Sequence, residues 1–399
     1  MQKLWLAGSF LLFPCLGLGQ TETPAPAPAA PPAVNAGSWF YSGPMMLDDL
    51  VEPIFWKGIG IQPYVSHRIS HSSGRPSEQS SRGKTTINRF SPGVAISVGP
   101  NWTATYSPSW TWYTADAYDD SLNHAVSLQG RLPLGRGEAA VRQSYSKSSE
   151  ALVETARQTD QESWNTSVSY GAPLTTRLGY TLEGTQDIRS TQAFTDTRDY
   201  TATASLRYQL TPLLRAGIGA TWGYTDTDPG ANTRWQRLQA TLSWTPGSRL
   251  ALSASFGLER RELLTHPPSE SEGPTYGLNA QYQVTETTTL IAGANRGFNS
   301  SFFASSFVET ESIYAGLSQR LLGFLTLSAR YREGKSSYEG TGAIAAREDD
   351  TNSTTLDLSA PVGSRTSVSL FYQNTENKTS TDEFAFDTEE FGASVSYRF

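Results

Sequence analysis

Apolar and polar residues alternate along most of this chain, and the alternation is clearest over its last residues. Every second position there is apolar: Phe391, Ala393, Val395, Tyr397 and Phe399. The positions between them are small or polar: Gly392, Ser394, Ser396 and Arg398. Successive side chains of a β-strand point to opposite faces, so this period of two predicts a strand with one apolar and one polar face.

The same period recurs in many earlier segments. Leu206 and Tyr208 flank Arg207, and Leu238 and Ala240 flank Gln239. In a soluble β-sandwich the apolar face of such a strand would be covered by a core, whereas in a membrane it would contact lipid. The alternation alone therefore leaves both architectures open.

The connections between these segments decide between the two, because they alternate in length. Tight turns are predicted near residues 99–101, 133–135, 173–175, 211–212, 246–248, 284–286, 322–323 and 361–363. Longer polar loops are predicted at 71–84, 114–120, 150–161, 190–197, 264–273 and 339–351. Short turns on one side and long loops on the other are typical of outer-membrane barrels. The fold class is therefore predicted to be all-β, a transmembrane antiparallel up-and-down β-barrel of about 18 strands over residues 57–399.

Composition is compatible with this prediction. The mean hydropathy of −0.40 would suit a soluble protein, but strands with one polar face average to a polar value even when they cross a membrane. Aromatic residues make up 11% of the chain. The tryptophans lie near predicted strand ends, where they would form the aromatic girdles of the two membrane interfaces: Trp102, Trp110, Trp112, Trp164, Trp222, Trp235 and Trp244.

Three segments are predicted before the barrel. Residues 1–19 have a basic start at Lys3 followed by an apolar run, which predicts a secretory signal peptide. Residues 20–43 are rich in Pro and Ala, which predicts an extended linker. Residues 44–56 carry apolar side chains at helical spacing, which predicts a short amphipathic helix. This helix would brace the periplasmic mouth, plug the lumen or dock an envelope partner.

The last strand closes in Tyr397, Arg398 and Phe399, and this ending resembles the assembly signal of Gram-negative outer-membrane barrels. Val395, Tyr397 and Phe399 would be its outward residues. The layout as a whole resembles the outer-membrane porin superfamily, most of all the beta-barrel porin type 2 group. The resemblance implies a protein of the cell outer membrane that contacts lipid and lipopolysaccharide and is inserted by the barrel assembly machinery.

The face assignments predict a basic lumen inside an acidic chain of formal net charge −7. The predicted pore-lining arginines are Arg142, Arg207, Arg237, Arg330 and Arg332, against the acids Glu183, Glu259 and Asp357. Five arginines lie beside predicted periplasmic turns: Arg131, Arg177, Arg215, Arg249 and Arg398. These five would either line the periplasmic rim or extend to water and lipid phosphates. Most remaining acids fall in the loops, which predicts an acidic outer mouth.

Motifs for other chemistry are missing from the sequence. It has no phosphate loop, no dinucleotide glycine fingerprint and no cysteine metal site, and its one cysteine, Cys15, lies in the predicted signal peptide. We therefore predict no enzyme activity, no cofactor, no metal and no nucleic-acid partner. The favoured function is a porin for passive diffusion of small polar or anionic solutes. The alternatives are a conduit or structural partner of an envelope export system, for instance for exopolysaccharide, and a surface adhesin or receptor that acts through its loops.

Overall fold

The computed structural model describes residues 53–76, 82–265, 269–303, 307–338 and 346–399. These residues form antiparallel strands with one short 3-10 turn at Asp382–Phe384. No helix among them is long and apolar enough to cross a membrane. The predicted signal peptide, the predicted linker and most of the predicted helix lie outside the described residues.

Nineteen strands follow one another through the described residues. They are β1 (Ile54–Trp56), β2 (Ile59–Pro76), β3 (Arg82–Val98), β4 (Trp102–Tyr113), β5 (Ser121–Leu134), β6 (Gly137–Leu152), β7 (Arg157–Pro173), β8 (Leu178–Thr191), β9 (Asp196–Thr211), β10 (Leu214–Asp228), β11 (Thr233–Trp244), β12 (Leu250–Leu263), β13 (Ser269–Gln283), β14 (Thr288–Ser300), β15 (Phe307–Leu321), β16 (Leu325–Tyr338), β17 (Arg347–Val362), β18 (Thr366–Thr379) and β19 (Phe386–Arg398).

Strands β2 to β19 form a closed barrel of 18 strands. Each strand pairs antiparallel with its neighbours in sequence, and β19 closes the ring by pairing with β2 from Arg398 opposite Tyr64 to Glu389 opposite Ser73. The predicted barrel class and strand number are confirmed. Closure also removes sheet edges, which leaves no row of unpaired backbone groups facing lipid.

The outer face of the barrel is apolar. Large side chains such as Ile218, Leu238 and Leu258 are 61%, 68% and 59% exposed, which no soluble core would allow. Each of them alternates with a residue of the inner face, as with Leu238 and Gln239. The outer face is therefore the surface that contacts lipid, in the arrangement of bacterial outer-membrane barrels.

The two ends of the barrel differ in their connections. At one end, here called the turn end, the strands are joined by two to five residues, for instance at 135–136 and 245–249. At the other, the loop end, the strands project: they are 12 to 18 residues long, whereas a tilted strand crosses a membrane in about 9–11. The loops predicted at 150–161 and 190–197 are correspondingly shorter, because β6, β7 and β8 continue through much of them.

The last residues of the predicted N-terminal helix form a strand instead. Ile54–Trp56 are β1, which pairs antiparallel with the start of β2, Ile54 lying opposite Ile61. Lys57 and Gly58 join the two strands with φ angles of 48° and 82°, the left-handed pair that tight hairpins require. The start of β2 extends past the end of β19, so β1 supplies the backbone partner that β19 does not reach. The helix prediction is wrong for these three residues.

Prolines do not break the first strand pair of the barrel, β2 and β3. Pro63 lies within β2, where its carbonyl accepts a hydrogen bond from Phe399 N at 3.1 Å. Pro92 lies within β3 at a point where the pairing with β4 is interrupted between Phe90 and Val94. Proline is tolerated in a sheet where its missing N–H is not needed.

Buried apolar side chains concentrate at the loop end, inside the barrel. They include Leu152 at the end of β6, Phe298 near the end of β14 and Val308 at the start of β15. Trp235 is also one of them: it is 8% exposed and faces inward, so its assignment to an aromatic girdle was wrong. The packed core of the described residues therefore lies in the mouth of the barrel.

A charge on the outer face should destabilise the barrel more than the same charge on the adjacent inner position. Leu238→Arg is expected to cost roughly 2–4 kcal/mol if residue 238 lies near the bilayer midplane. Gln239→Arg, its matched control on β11, should be tolerated because that side chain points into the lumen. Equilibrium unfolding in lipid vesicles measures both, and a larger loss for Gln239→Arg would reverse the face assignment.

Removal of Phe399 should reduce insertion into the outer membrane. Phe399 donates its backbone N–H to Pro63 and packs its ring against Tyr397 at a centroid distance of 4.9 Å, so it fastens the end of β19 to β2. Phe399→Tyr, which retains both contacts, serves as the control. Heat-modifiable electrophoresis of outer-membrane fractions reports folded barrel, and wild-type amounts after the deletion would remove this role.

Candidate functional site

The inner wall of the barrel is the first part of the candidate site. The predicted pore-lining residues lie on strands where the alternation places them inside: Arg207 between the outward Leu206 and Tyr208, and Arg330 and Arg332 on either side of the outward Tyr331. By the same alternation Arg142, Arg237, Glu183, Glu259 and Asp357 also belong to the inner face.

Three of these arginines lie at similar distances from the turn end. Arg207 is four residues before the end of β9 and lies opposite Gly179 at the start of β8. Arg142 and Arg330 are each five residues after the start of their strands, β6 and β16. Arg237 lies in the half of β11 nearer the loop end. A solute that travels along the lumen would therefore pass basic groups on several strands.

Three of the arginines have no acidic partner within the part of the chain that the structure describes. None of the ion pairs between described residues includes Arg142, Arg207 or Arg330. Arg207 Nη2 donates instead to the hydroxyl of Thr181 at 2.5 Å, and Arg332 Nη2 donates to Ser312 Oγ at 3.0 Å. The charges of Arg142, Arg207 and Arg330 are therefore available to the lumen.

Arg237 differs, because it belongs to a buried charge cluster. Glu259 is fully buried and lies between two arginines, 2.5 Å from Arg237 Nη2 and 2.5 Å from Arg261 Nε. Arg261 also donates to the carbonyl of Phe298 at 3.0 Å and lies over the ring of Trp235 at 5.3 Å. Arg261 is also close enough to Asp199 to interact with its carboxylate, so the cations of this cluster face two acids.

The five arginines predicted at the periplasmic rim lie at or next to the turn end. Arg177, Arg215 and Arg249 are exposed, and Arg131 lies 4.0 Å from Glu138 across the β5–β6 hairpin. Arg398 N donates to the carbonyl of Arg365 at 2.9 Å. Exposed side chains at this level could reach either lumen water or lipid phosphates.

The second part of the site lies across the loop end, where two loops meet over the lumen. The connection after β14 contributes Ser301 and Phe302, and the β6–β7 connection contributes Glu154. Glu154 Oε1 accepts hydrogen bonds from Ser301 Oγ at 2.5 Å and from Phe302 N at 2.7 Å. Strands β6 and β14 lie on nearly opposite sides of the 18-strand ring, so this contact spans the lumen.

Two arginines from other strands hold the contact in place. Arg189, near the end of β8, donates to the carbonyl of Ser301 at 2.8 Å and lies over the Phe302 ring at 3.9 Å. Arg347, the first residue of β17, donates to the backbone carbonyl of Glu154 at 2.9 Å. We call Glu154, Arg189, Ser301, Phe302 and Arg347 the outer constriction.

Aromatic rings surround the outer constriction. Phe302 and Phe303 meet Phe194 edge to face at centroid distances of 6.3 Å and 5.8 Å. Phe303 in turn meets Phe384 of the β18–β19 connection at 6.0 Å. Arg347 lies over Phe384 at 3.9 Å and over Tyr338 at 4.1 Å. Residues from five connections or strand ends therefore narrow the mouth.

The carboxyl group of Glu154 is the main titratable group of the outer constriction. Burial raises its pKa above the ordinary glutamate value, because desolvation disfavours the charged form. The hydrogen bonds from Ser301 and Phe302 and the charges of Arg189 and Arg347 oppose this increase. The net direction is upward, so the proton is held more tightly here than in water.

Several functional residues were not predicted from the sequence, and they differ in whether a signal existed. Arg189 and Arg261 continue the inward alternation of Glu183 and Glu259, and would have been found had those strands been extended. Glu154 and Arg347 lie in or beside loops and act through contacts with distant segments. No local pattern marks them.

Comparisons with known proteins give a likeness in fold. No family model and no curated protein matches the chain. Similar solved structures include Pseudomonas aeruginosa OpdK with vanillate (12% identity, 85% of this chain and 98% of that one, TM-score 0.49) and OpdL (13%, 86% and 99%, 0.47). Another is OccK11 (OpdR) from the same organism (11%, 88% and 98%, 0.46). These are outer-membrane porins; at such identities the likeness concerns the fold alone. Membership of the beta-barrel porin type 2 group stays a prediction.

Neutralising Glu259 should destabilise the barrel strongly. Glu259→Gln leaves the buried Arg261 and the half-buried Arg237 without their shared counter-charge, a change that costs about 3–5 kcal/mol in buried ion pairs. Glu262→Gln, an outward-facing position on the same strand, is the control and should change the free energy of unfolding little. A loss at residue 259 no larger than the control would mean that the cluster contributes nothing to stability.

Proposed function

We propose that this protein is an outer-membrane porin that forms an aqueous channel for passive diffusion of small polar solutes, with a preference for anions. A closed barrel of 18 strands is wide enough to leave a water-filled lumen. Its lipid contacts, with lipopolysaccharide on the loop side, and its insertion by the barrel assembly machinery follow from this assignment.

The observation that carries the anion preference is the set of unpaired arginines on the inner wall. Arg142, Arg207 and Arg330 lie on three different strands of the inner wall and form no ion pair with a described acid. Charges that line a pore raise the local concentration of ions of opposite sign.

An export conduit is the second candidate, and the outer constriction is the observation that favours it. Loops that meet across the lumen through Glu154 and Ser301 would suit a channel that stays shut until a partner engages it. Planar-bilayer recording of the purified protein separates the two functions. Spontaneous conductance supports the porin, whereas a channel that stays silent without a partner supports the conduit.

Neutralising the unpaired wall arginines should reduce anion selectivity. The triple variant Arg142→Gln, Arg207→Gln, Arg330→Gln is expected to move the reversal potential under a salt gradient towards the non-selective value. The effect should be larger at low salt, because the Debye length shortens from roughly 30 Å at 0.01 M to about 10 Å at 0.1 M.

The matched control neutralises Arg177, Arg215 and Arg249 at the turn end. If these side chains only reach lipid phosphates, the control triple leaves the reversal potential unchanged; a shift would instead place them in the conduction path. A channel that is cation-selective both as the wild type and as the triple variant of the wall would contradict the anion preference. The acidic loops would then determine which ions enter.

A further inference from the structure

Glu154 is held by a set of donors that would suit any small carboxylate. One of its oxygens accepts both a hydroxyl from Ser301 at 2.5 Å and a backbone N–H from Phe302 at 2.7 Å. Phe303 N donates to Ser301 Oγ at 3.0 Å, which leaves the hydroxyl proton of Ser301 for Glu154. Ser301 and Phe302 are 1% and 6% exposed, so these donors are fixed before a ligand arrives.

Positive charge lies on both sides of the same carboxylate. Arg189 and Arg347 are each close enough to lower the pKa of Glu154. Neither arginine depends on that carboxylate for its position: Arg189 donates to the carbonyl of Ser301, and Arg347 donates to the backbone of residue 154 and pairs with Asp349 at 3.0 Å. If another carboxylate took the place of Glu154, Ser301 would still hold Arg189 and Asp349 would still hold Arg347, so the donors and charges would persist.

We propose that the outer constriction is a binding site for a small organic carboxylate and that the chain's own Glu154 occupies it in this structure. The proposal rests on the porin function, since the ligand would be a solute in transit. Binding of a solute carboxylate displaces Glu154 and separates the β6–β7 connection from the β14–β15 connection. Binding of the anion would thereby open the channel through which the anion passes.

The connection that carries Glu154 is suited to exchange. It joins β6 and β7 over residues 153–156 only, and Ala156 within it has a φ of 47°. Residues other than glycine rarely adopt this left-handed backbone conformation, so tertiary contacts hold the turn in it. The raised pKa of Glu154 also means that its charged form is more stable in water than in the closed constriction. A carboxylate that is held weakly suits a permeation site, which must release what it binds.

The pH dependence of the site has a defined sign. Glu154 faces Arg189 on β8, Tyr338 on β16 and Arg347 on β17, while Asp199 and Asp349 lie beyond these arginines. The pKa of Glu154 is higher in the closed constriction than it would be in water, so protonation favours the closed form. Stabilisation of the closed form is complete below the ordinary carboxyl pKa and is lost as pH rises through the raised value.

Variants at residue 154 test the proposal in planar bilayers, with benzoate as the carboxylate probe and benzamide as its neutral counterpart. In the wild type, benzoate should raise the open probability severalfold and benzamide should not. Glu154→Ala should be open without benzoate and no longer respond to it. Glu154→Gln, which resembles the protonated side chain, should stay closed and lose the dependence on pH. Glu162→Gln, an outward position on the same hairpin that pairs with Lys147, should behave as the wild type.

The outcomes distinguish this proposal from the porin assignment. If neither the wild type nor any variant conducts, the porin function fails. If wild type, Glu154→Ala and Glu162→Gln all conduct and respond equally to benzoate, the porin stands and the carboxylate site is overturned.

A labelling experiment covers the case in which Glu154→Ala does not fold. Thr155 is 2% exposed, so a cysteine placed there should react slowly with a water-soluble maleimide. Benzoate should accelerate labelling of Thr155→Cys severalfold and benzamide should not. Equal rates with both compounds would overturn the displacement of Glu154 in a protein that is known to be folded.

Discussion

The pairing of β19 with β2 is the constraint on which the rest of this structure depends. Lipid offers no hydrogen-bond partners, so a sheet can cross a membrane only if it closes and leaves no edge. Closure from Arg398 opposite Tyr64 to Glu389 opposite Ser73 completes the backbone pairing. On the lumen side the seam is reinforced by Glu390, which lies 3.0 Å from Arg68 and 3.6 Å from Arg75.

Closure makes the local alternation of side chains decisive, and this is why so much of the fold could be predicted. Once the sheet is a ring, each residue faces either lipid or lumen, and the period of two in segments such as Leu206–Arg207–Tyr208 assigns the face. The tight turns at one end of the barrel could be predicted equally well, because Gly and Pro mark them in the local sequence. Strand number, turn positions and the inner arginines of the wall all follow from such local signals.

The fold prediction failed at positions where the alternation of apolar and polar residues no longer indicates which face of a strand meets lipid. Beyond the membrane both faces of a strand meet water or polar loops, so β6 and β7 continue to Leu152 and from Arg157 without an apolar face to reveal them. Ile54–Trp56 have the apolar spacing of a helix, yet they pair with β2 beyond the end of β19. The unpaired backbone of β2 needs a partner there, and this tertiary contact overrides the local spacing. Trp235 likewise packs inward against Arg237 and Arg261, although its type favours the girdle.

The outer constriction lies furthest from any local signal, because 147 residues separate Glu154 from Ser301 and only closure brings them together. It also resolves an apparent conflict between an acidic chain and a basic lumen. At the outer constriction the carboxylate of Glu154 lies between Arg189 and Arg347, its pKa raised by burial, and Asp349 pairs with Arg347 at 3.0 Å. The electrostatic field at this point is therefore set by these few neighbouring charges rather than by the formal net charge of −7, since most of the acids of the chain contribute to it only through screening water.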